Sequence, residues 1–217
     1  DLVQKHHKSL FQLEALFFGV AGLLRAQPQD NYQQGLQAEW HFLKTKYNLP
    51  EAASLLKFGR MRPMSLPTVK LAQLASFFHH VPLFVKDMLT LPSIGEIRGR
   101  LDFSLAAYWD THYTFGKESV PRSKKLSNAF INHLFLNAIV PFVFFYERYK
   151  QESTPDRSIA YLESLPPEKN SIISSWKSIN LSAQNALASQ SLLHLYKTYC
   201  TQGRCLECNF GKKILIR

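Results

Sequence analysis

The stretch LFQLEALFFGVAGLL, residues 10–24, sets Leu10, Leu13, Leu16, Phe17, Val20, Leu23 and Leu24 three and four positions apart. That spacing follows a 3.6-residue turn rather than the two-residue alternation of a strand, so it predicts a helix with one face toward a core. Gly19 and Gly22 lie three apart on it and would let another helix approach closely. The run is shorter than the roughly 20 residues a bilayer span needs, and Gln12 and Glu14 interrupt it.

The same period continues on either side. Pro28 closes the first helix, and Asp30 can cap a second reaching about Tyr47, with Leu36, Trp40, Leu43 and Tyr47 on one face and Pro50 as its stop. LLKFGRMRPMSLP (55–67) carries Gly59, Pro63 and Pro67 as breakers and reads as a loop. Pro67 then suits the first turn of a helix to His80, facing inward with Val69, Leu71, Leu74, Ala75 and Phe78. Short helices are expected near 82–91 and 93–101, the second opening on a Ser93–Glu96 capping box. Residues 102–123 read as irregular and end in an exposed basic loop. From Lys124 to Lys150 runs the longest expected helix, kinked at Pro141, with the apolar run 135–146 in the core. Thr154-Pro155 and Pro166-Pro167-Glu168 start two short helices, and Ser182 caps another to about Tyr199 that places Leu187, Ser191, His194 and Leu195 on one face.

No strand alternation, hairpin dipeptide or fixed repeat emerges. The expected fold is all-α, an irregular multi-helix bundle of about ten helices with a cysteine-containing C-terminal turn. Residues 1–217 read as a single helical domain, and the start at Asp1 without Met suggests the C-terminal part of a longer protein.

Composition narrows the class. In 217 residues, 46% are apolar and 19% charged, which excludes a disordered or low-complexity chain. Lys and Arg total 26 against 16 Asp and Glu, giving a formal charge of +10 that favours anionic partners without specifying a fold. The three Cys all fall near the C-terminus rather than spread as an even-numbered disulfide framework, so a reducing cytoplasm is expected, with no membrane partner.

Two patterns could carry chemistry. Cys200-x4-Cys205-x2-Cys208 has thiols spaced to grip a metal from one turn, and Gly203 would let the third reach it. Zinc or an iron–sulfur cluster is the cofactor it suggests, although such sites want four ligands. His194 is the nearest nitrogen, but on a continuous helix it points roughly 120° away from Cys200. The competing reading is three small buried hydrophobes in a tight turn. The second pattern is basic. Lys57, Arg60, Arg62 and Lys70 have no acid between Glu51 and Asp87, and Arg122, Lys124 and Lys125 form another group, with Lys212, Lys213 and Arg217 a third. If these converge they make the footprint of a nucleic-acid binder; otherwise the arginines anchor loops and the lysines are simply solvated. Tyr108-Trp109-Asp110-Thr111-His112-Tyr113 pairs an acid with a histidine, yet it has no companion nucleophile and reads better as a packed aromatic corner.

Several phrases also match a family. They are EALFFGVAGLL (14–24), RMRPMSLPTVKLAQLA (60–75), YWDTHYTFG (108–116), NAIVPF (137–142), LPPEKN (165–170) and SQSLLHLYKTYCTQGRCLECNFGKKIL (189–215). In this order they resemble the C-terminal part of domain-of-unknown-function family 2851, a set of uncharacterised bacterial proteins. Full-length members carry an N-terminal region whose Gly-Pro-Asp-Phe and Val-Glu-Ile-His phrases resemble a nuclease-type metal site. Neither phrase occurs here. The resemblance therefore implies a non-catalytic helical module with an N-terminal nuclease-like domain as intramolecular partner, and the basic runs add nucleic acid as a candidate partner along Arg60, Arg62, Lys70, Arg122, Lys124, Lys125 and Lys212. A purely structural or protein-interaction domain and a metal- or cluster-binding domain are the alternatives.

Overall fold

The computed structural model describes residues 2–50, 56, 58–59, 62–91, 93–150 and 156–215. It is 64% helical with one small two-stranded ribbon, so the protein is mostly all-α. The chain divides into two compact units, the first formed by residues 1–90 and 95–127 and the second by 91–94 and 128–217.

In the first unit, α1 (Leu2–His6) leads into α2 (Leu10–Val20), which packs against α3 (Asn31–Tyr47) and α4 (Pro67–His80). Local signals place these ends well. Ser9 caps α2 by accepting from the Gln12 amide, and Asp30 caps α3 by accepting from the Gln33 amide at 2.7 Å. Pro67 stands in the first turn of α4, as its missing N–H allows. Gly19 serves contact with a ring: a Cβ there would sit 2.0 Å from the Trp40 indole, so α3 lies against α2 through Trp40. The core gathers Leu16, Phe18, Leu36, Leu43, Ala72 and Trp109. The inner face of α4 follows the expected one at Val69 and Ala75, with Leu71 and Phe78 partly buried, and departs from it at Leu74. Thr68, Val69, Ala72, Ala75 and Ser76 are buried, whereas Leu74 is exposed.

After α5 (Phe84–Thr90) and α6 (Ile94–Arg100), a short α7 (Tyr108–Thr111) passes directly into β1 (His112–Thr114), which pairs antiparallel with β2 (Lys117–Glu118). His112 faces Glu118 and Thr114 faces Lys117. The sequence pattern predicts only irregular chain here. Strands this short show no alternation to read, and the turn depends on Gly116 at φ +67 and on its amide donating to Asp30 Oδ2 at 2.6 Å.

The second unit opens on α8 (Asn128–Leu134), continues through a π-helical segment (Phe135–Ile139) and ends in α9 (Val140–Tyr149). Together they form one helix, Asn128–Tyr149, long and apolar enough by length and composition to cross a membrane. It starts four residues after the expected Lys124. The π segment is how it accommodates Pro141: the ring removes a donor, and just before it the Val140 amide bonds five residues back to Phe135. The expectation of a core helix holds only for Ile131, Phe135, Ile139, Val140 and Val143; Phe144, Phe145 and Tyr149 are exposed. α10 (Asp156–Ser164) packs on α9 and on α12 (Ala186–Leu195), and α12 also holds α11 (Ser171–Ser178). Asn170 and Asn185 supply the caps of α11 and α12, where Pro166 and Ser182 were expected to start them. Asparagine carbonyls accept the same amide bonds that a serine would. A second π segment (Tyr196–Cys200), a run of turns and α13 (Asn209–Leu215) complete the chain.

Candidate functional sites

The side chain of Lys70 and the backbone of Lys124 meet at Gln73 of α4. Gln73 is buried, and its side-chain amide works in two directions: Oε1 accepts from Lys70 Nζ at 3.0 Å, and Nε2 donates to the Lys124 carbonyl at 2.8 Å. Thr68, a turn earlier, donates to the Tyr113 carbonyl at 2.5 Å. Segment 113–124 is thereby strapped along α4, and the acid-free runs 52–86 and 119–146 are joined at one point. Arg62 and Arg122 are exposed. Arg60, like Lys57, lies outside the described residues.

Neighbouring lysines on this strap have opposite environments. Lys124 is 1% exposed; its ammonium donates to the Asp110 carbonyl at 3.0 Å and the Arg122 carbonyl at 3.2 Å and lies 4.1 Å from the centre of the Tyr113 ring. Burial pushes its pKa down, as does Arg122, against the pull of Asp110. Its charge is spent inside the fold. Lys125 is exposed and pairs with Asp102 at 2.9 Å. Burial also lowers Lys70. Lys212 belongs to the second unit, where it is exposed on α13.

Beneath the aromatic corner lies a buried acid that the sequence reading used only to interrupt an apolar run. Glu14 is fully buried; Trp109 Nε1 donates to Oε1 at 2.8 Å, and the Tyr32 hydroxyl donates to Oε2. Burial raises this carboxyl to about 7 although both hydrogen bonds oppose the shift. Asp30 is the second acid of the corner. Burial works to raise it, but the Gln33 amide, the Tyr108 hydroxyl and the Gly116 amide together hold it below its ordinary value. Tyr108 is sandwiched between Tyr32, with centroids 4.1 Å apart, and His112, at 3.9 Å. His112 Nδ1 lies 2.9 Å from the Tyr108 carbonyl and 3.0 Å from Thr111 Oγ1, so its orientation comes from these groups. The corner is packing with its polar atoms satisfied, and it can bind and release one proton at Glu14. The signal available in sequence was a lone carboxylate on the inner side of an apolar helix.

In the second unit, Cys200, Cys205 and Cys208 are free thiols. Together with Trp176, Leu192 and Phe210 they help line a cavity of about 310 Å³ whose surface is apolar. Cys200 and Cys205 are exposed, while Cys208 is 7% exposed. His194 is exposed and lies 3.3 Å from Thr198 Oγ1 through Nδ1. Among the described residues no three His, Cys, Asp or Glu side chains are gathered so as to hold a metal ion.

A family model described as "Protein of unknown function (DUF2851)" matches residues 1–171. No curated protein and no solved structure matches the chain.

Proposed function

The chain belongs to the DUF2851 family, and on that footing we propose that it is a non-catalytic helical module whose first unit holds the nucleic-acid backbone for a nuclease-like domain of the longer protein. One observation carries the reading: the Gln73 amide ties Lys70 to the strap that carries Arg122, so two cationic segments distant in sequence are joined at one residue. Cations brought together attract phosphates and release counterions, and they do so without reading bases. Lys124 takes no part as a contact, since its ammonium is used internally; it sets the strap on which Arg122 stands.

The test is fluorescence anisotropy with single- and double-stranded DNA and RNA oligonucleotides over a salt series. Binding is expected to fall log-linearly with salt and to vary little with sequence. Replacing Arg62, Lys70 and Arg122 together by Gln is expected to flatten that log–log slope by about 3, one counterion per lost phosphate contact. No binding at low salt, or an unchanged slope in the triple variant, overturns the reading.

A further inference from the structure

We propose that Cys205 and Cys208 form a reversible thiol–disulfide pair in the wall of the apolar cavity of the second unit, oxidised by low-molecular-weight disulfides. The Cys208 amide donates to the Cys205 carbonyl at 3.2 Å, which makes the two residues the first and fourth of a hydrogen-bonded turn. The Cα atoms across such a turn lie within about 7 Å, and a disulfide bridges Cα atoms about 4.4–6.8 Å apart. Both residues line the same cavity. The closure needs no rearrangement of distant chain, so little loop entropy is lost.

The turn is fixed from its C-terminal side. A Cβ on Gly211 would lie 2.1 Å from the Cys205 carbonyl oxygen, so α13 rests directly on that backbone, and the Lys212 amide donates to the Cys208 carbonyl at 2.8 Å. Gly203, at φ +63, turns the chain between Cys200 and this pair. Exposure then divides the roles. Cys205 is open to solvent and meets the incoming disulfide; Cys208 is buried, so its nearest electrophile is whatever becomes attached to Cys205.

The reaction is two exchanges. The Cys205 thiolate attacks one sulfur of a disulfide RSSR, forming a mixed disulfide and releasing one RS⁻, which takes up a proton as RSH. The Cys208 thiolate then attacks Cys205 Sγ and releases the second RSH. The protein gives up two electrons and two protons and gains one S–S bond, while RSSR is reduced to two thiols. A dithiol reverses both steps.

The sequence makes the product easy to map. Tryptic cleavage after Lys197, Arg204 and Lys212, with glutamyl cleavage after Glu207, puts each cysteine on its own peptide. The full chain, reduced and freed of reductant, is titrated with oxidised glutathione and read by mass spectrometry. The expected product has lost two hydrogens and joins the Cys205 and Cys208 peptides. C200S still forms it; C208S stops at a lasting glutathione adduct on Cys205; C205S gives no link. Since the wild-type peptide map decides the pairing, a variant that fails to fold does not blur the result. A link through Cys200, adducts on all three cysteines without a link, or no reaction with excess oxidised glutathione overturns the proposal.

Discussion

The aromatic corner of the first unit and the cysteine end of the second solve the same packing problem in different ways. In the corner, the buried Glu14 carboxylate has partners on two other elements, Trp109 and Tyr32, and even a single methyl has nowhere to go beside Trp40, although Ser76 Oγ on α4 is buried without a partner among the described residues. At the cysteine end, apolar side chains surround open volume, and the Trp176 indole N–H is buried without a partner among the described residues. A buried network fully satisfied is rigid because moving any member strands another. A cavity leaves its lining without dispersion partners on one side, so the region around it has room to move.

Four substitutions or pairs of substitutions test that contrast. The largest effect is expected for Trp109→Ala, which removes the stack on Phe18 and one partner of Glu14: about 3–5 kcal/mol by urea unfolding. A loss below 1 kcal/mol would mean that the corner is not the rigid part.

Next comes Glu14→Gln, read as a pH series. Burial pushes the folded Glu14 carboxyl up from its ordinary 4.5 to about 7. A raised folded pKa contributes stability below the unfolded value that is lost as pH rises through the folded one. The wild type should therefore lose roughly 2–3 kcal/mol between acid and mildly alkaline pH relative to the Gln variant, in which that group cannot ionise. Parallel pH profiles for the two proteins would show that Glu14 is not buried as described.

Adding volume separates the two regions in sign. Gly19→Ala, driven into Trp40, is expected to cost roughly 1–3 kcal/mol. Leu195→Phe, on the wall of the cavity, is expected to gain roughly 0.5–2 kcal/mol by filling it. Equal losses at both sites would erase the contrast. The smallest effects separate adjacent lysines within the first unit. Lys124→Ala removes the Lys124 bond to the Arg122 carbonyl and the second donor to the Asp110 carbonyl, which keeps the Arg122 amide, and should cost about 1–3 kcal/mol. Lys125→Ala breaks an exposed pair with Asp102 and should stay within about 1 kcal/mol.

Much of the helical layout was legible from the residues. Asp30, Pro67 and the apolar face of α3 fall where period and capping place them, because these signals act within one turn of chain; on α2 Leu13 and Leu16 are buried as expected, but Phe18 is buried and Val20 is exposed. The ends of α8, α11 and α12 shifted for reasons just as local: Asn170 and Asn185 compete with nearby Pro and Ser as caps, and a π segment precedes Pro141. The candidate sites were less legible. Two lysines one residue apart in sequence, Lys124 and Lys125, cannot be told apart by composition, yet one is internal and the other solvated. Gln73 carries no motif, though it joins the two basic segments.

What the sequence by itself determined is therefore what short-range physics controls: a helical chain, a positive charge held in acid-free runs, and a two-residue spacing between thiols that a single turn can bring together. The tertiary structure alone decided which of those charges face water, that Glu14 meets Trp109 across 95 residues, and that three cysteines share one apolar cavity. Burial and partnership depend on which distant segments arrive at the same place, and no pattern confined to one turn of helix records that.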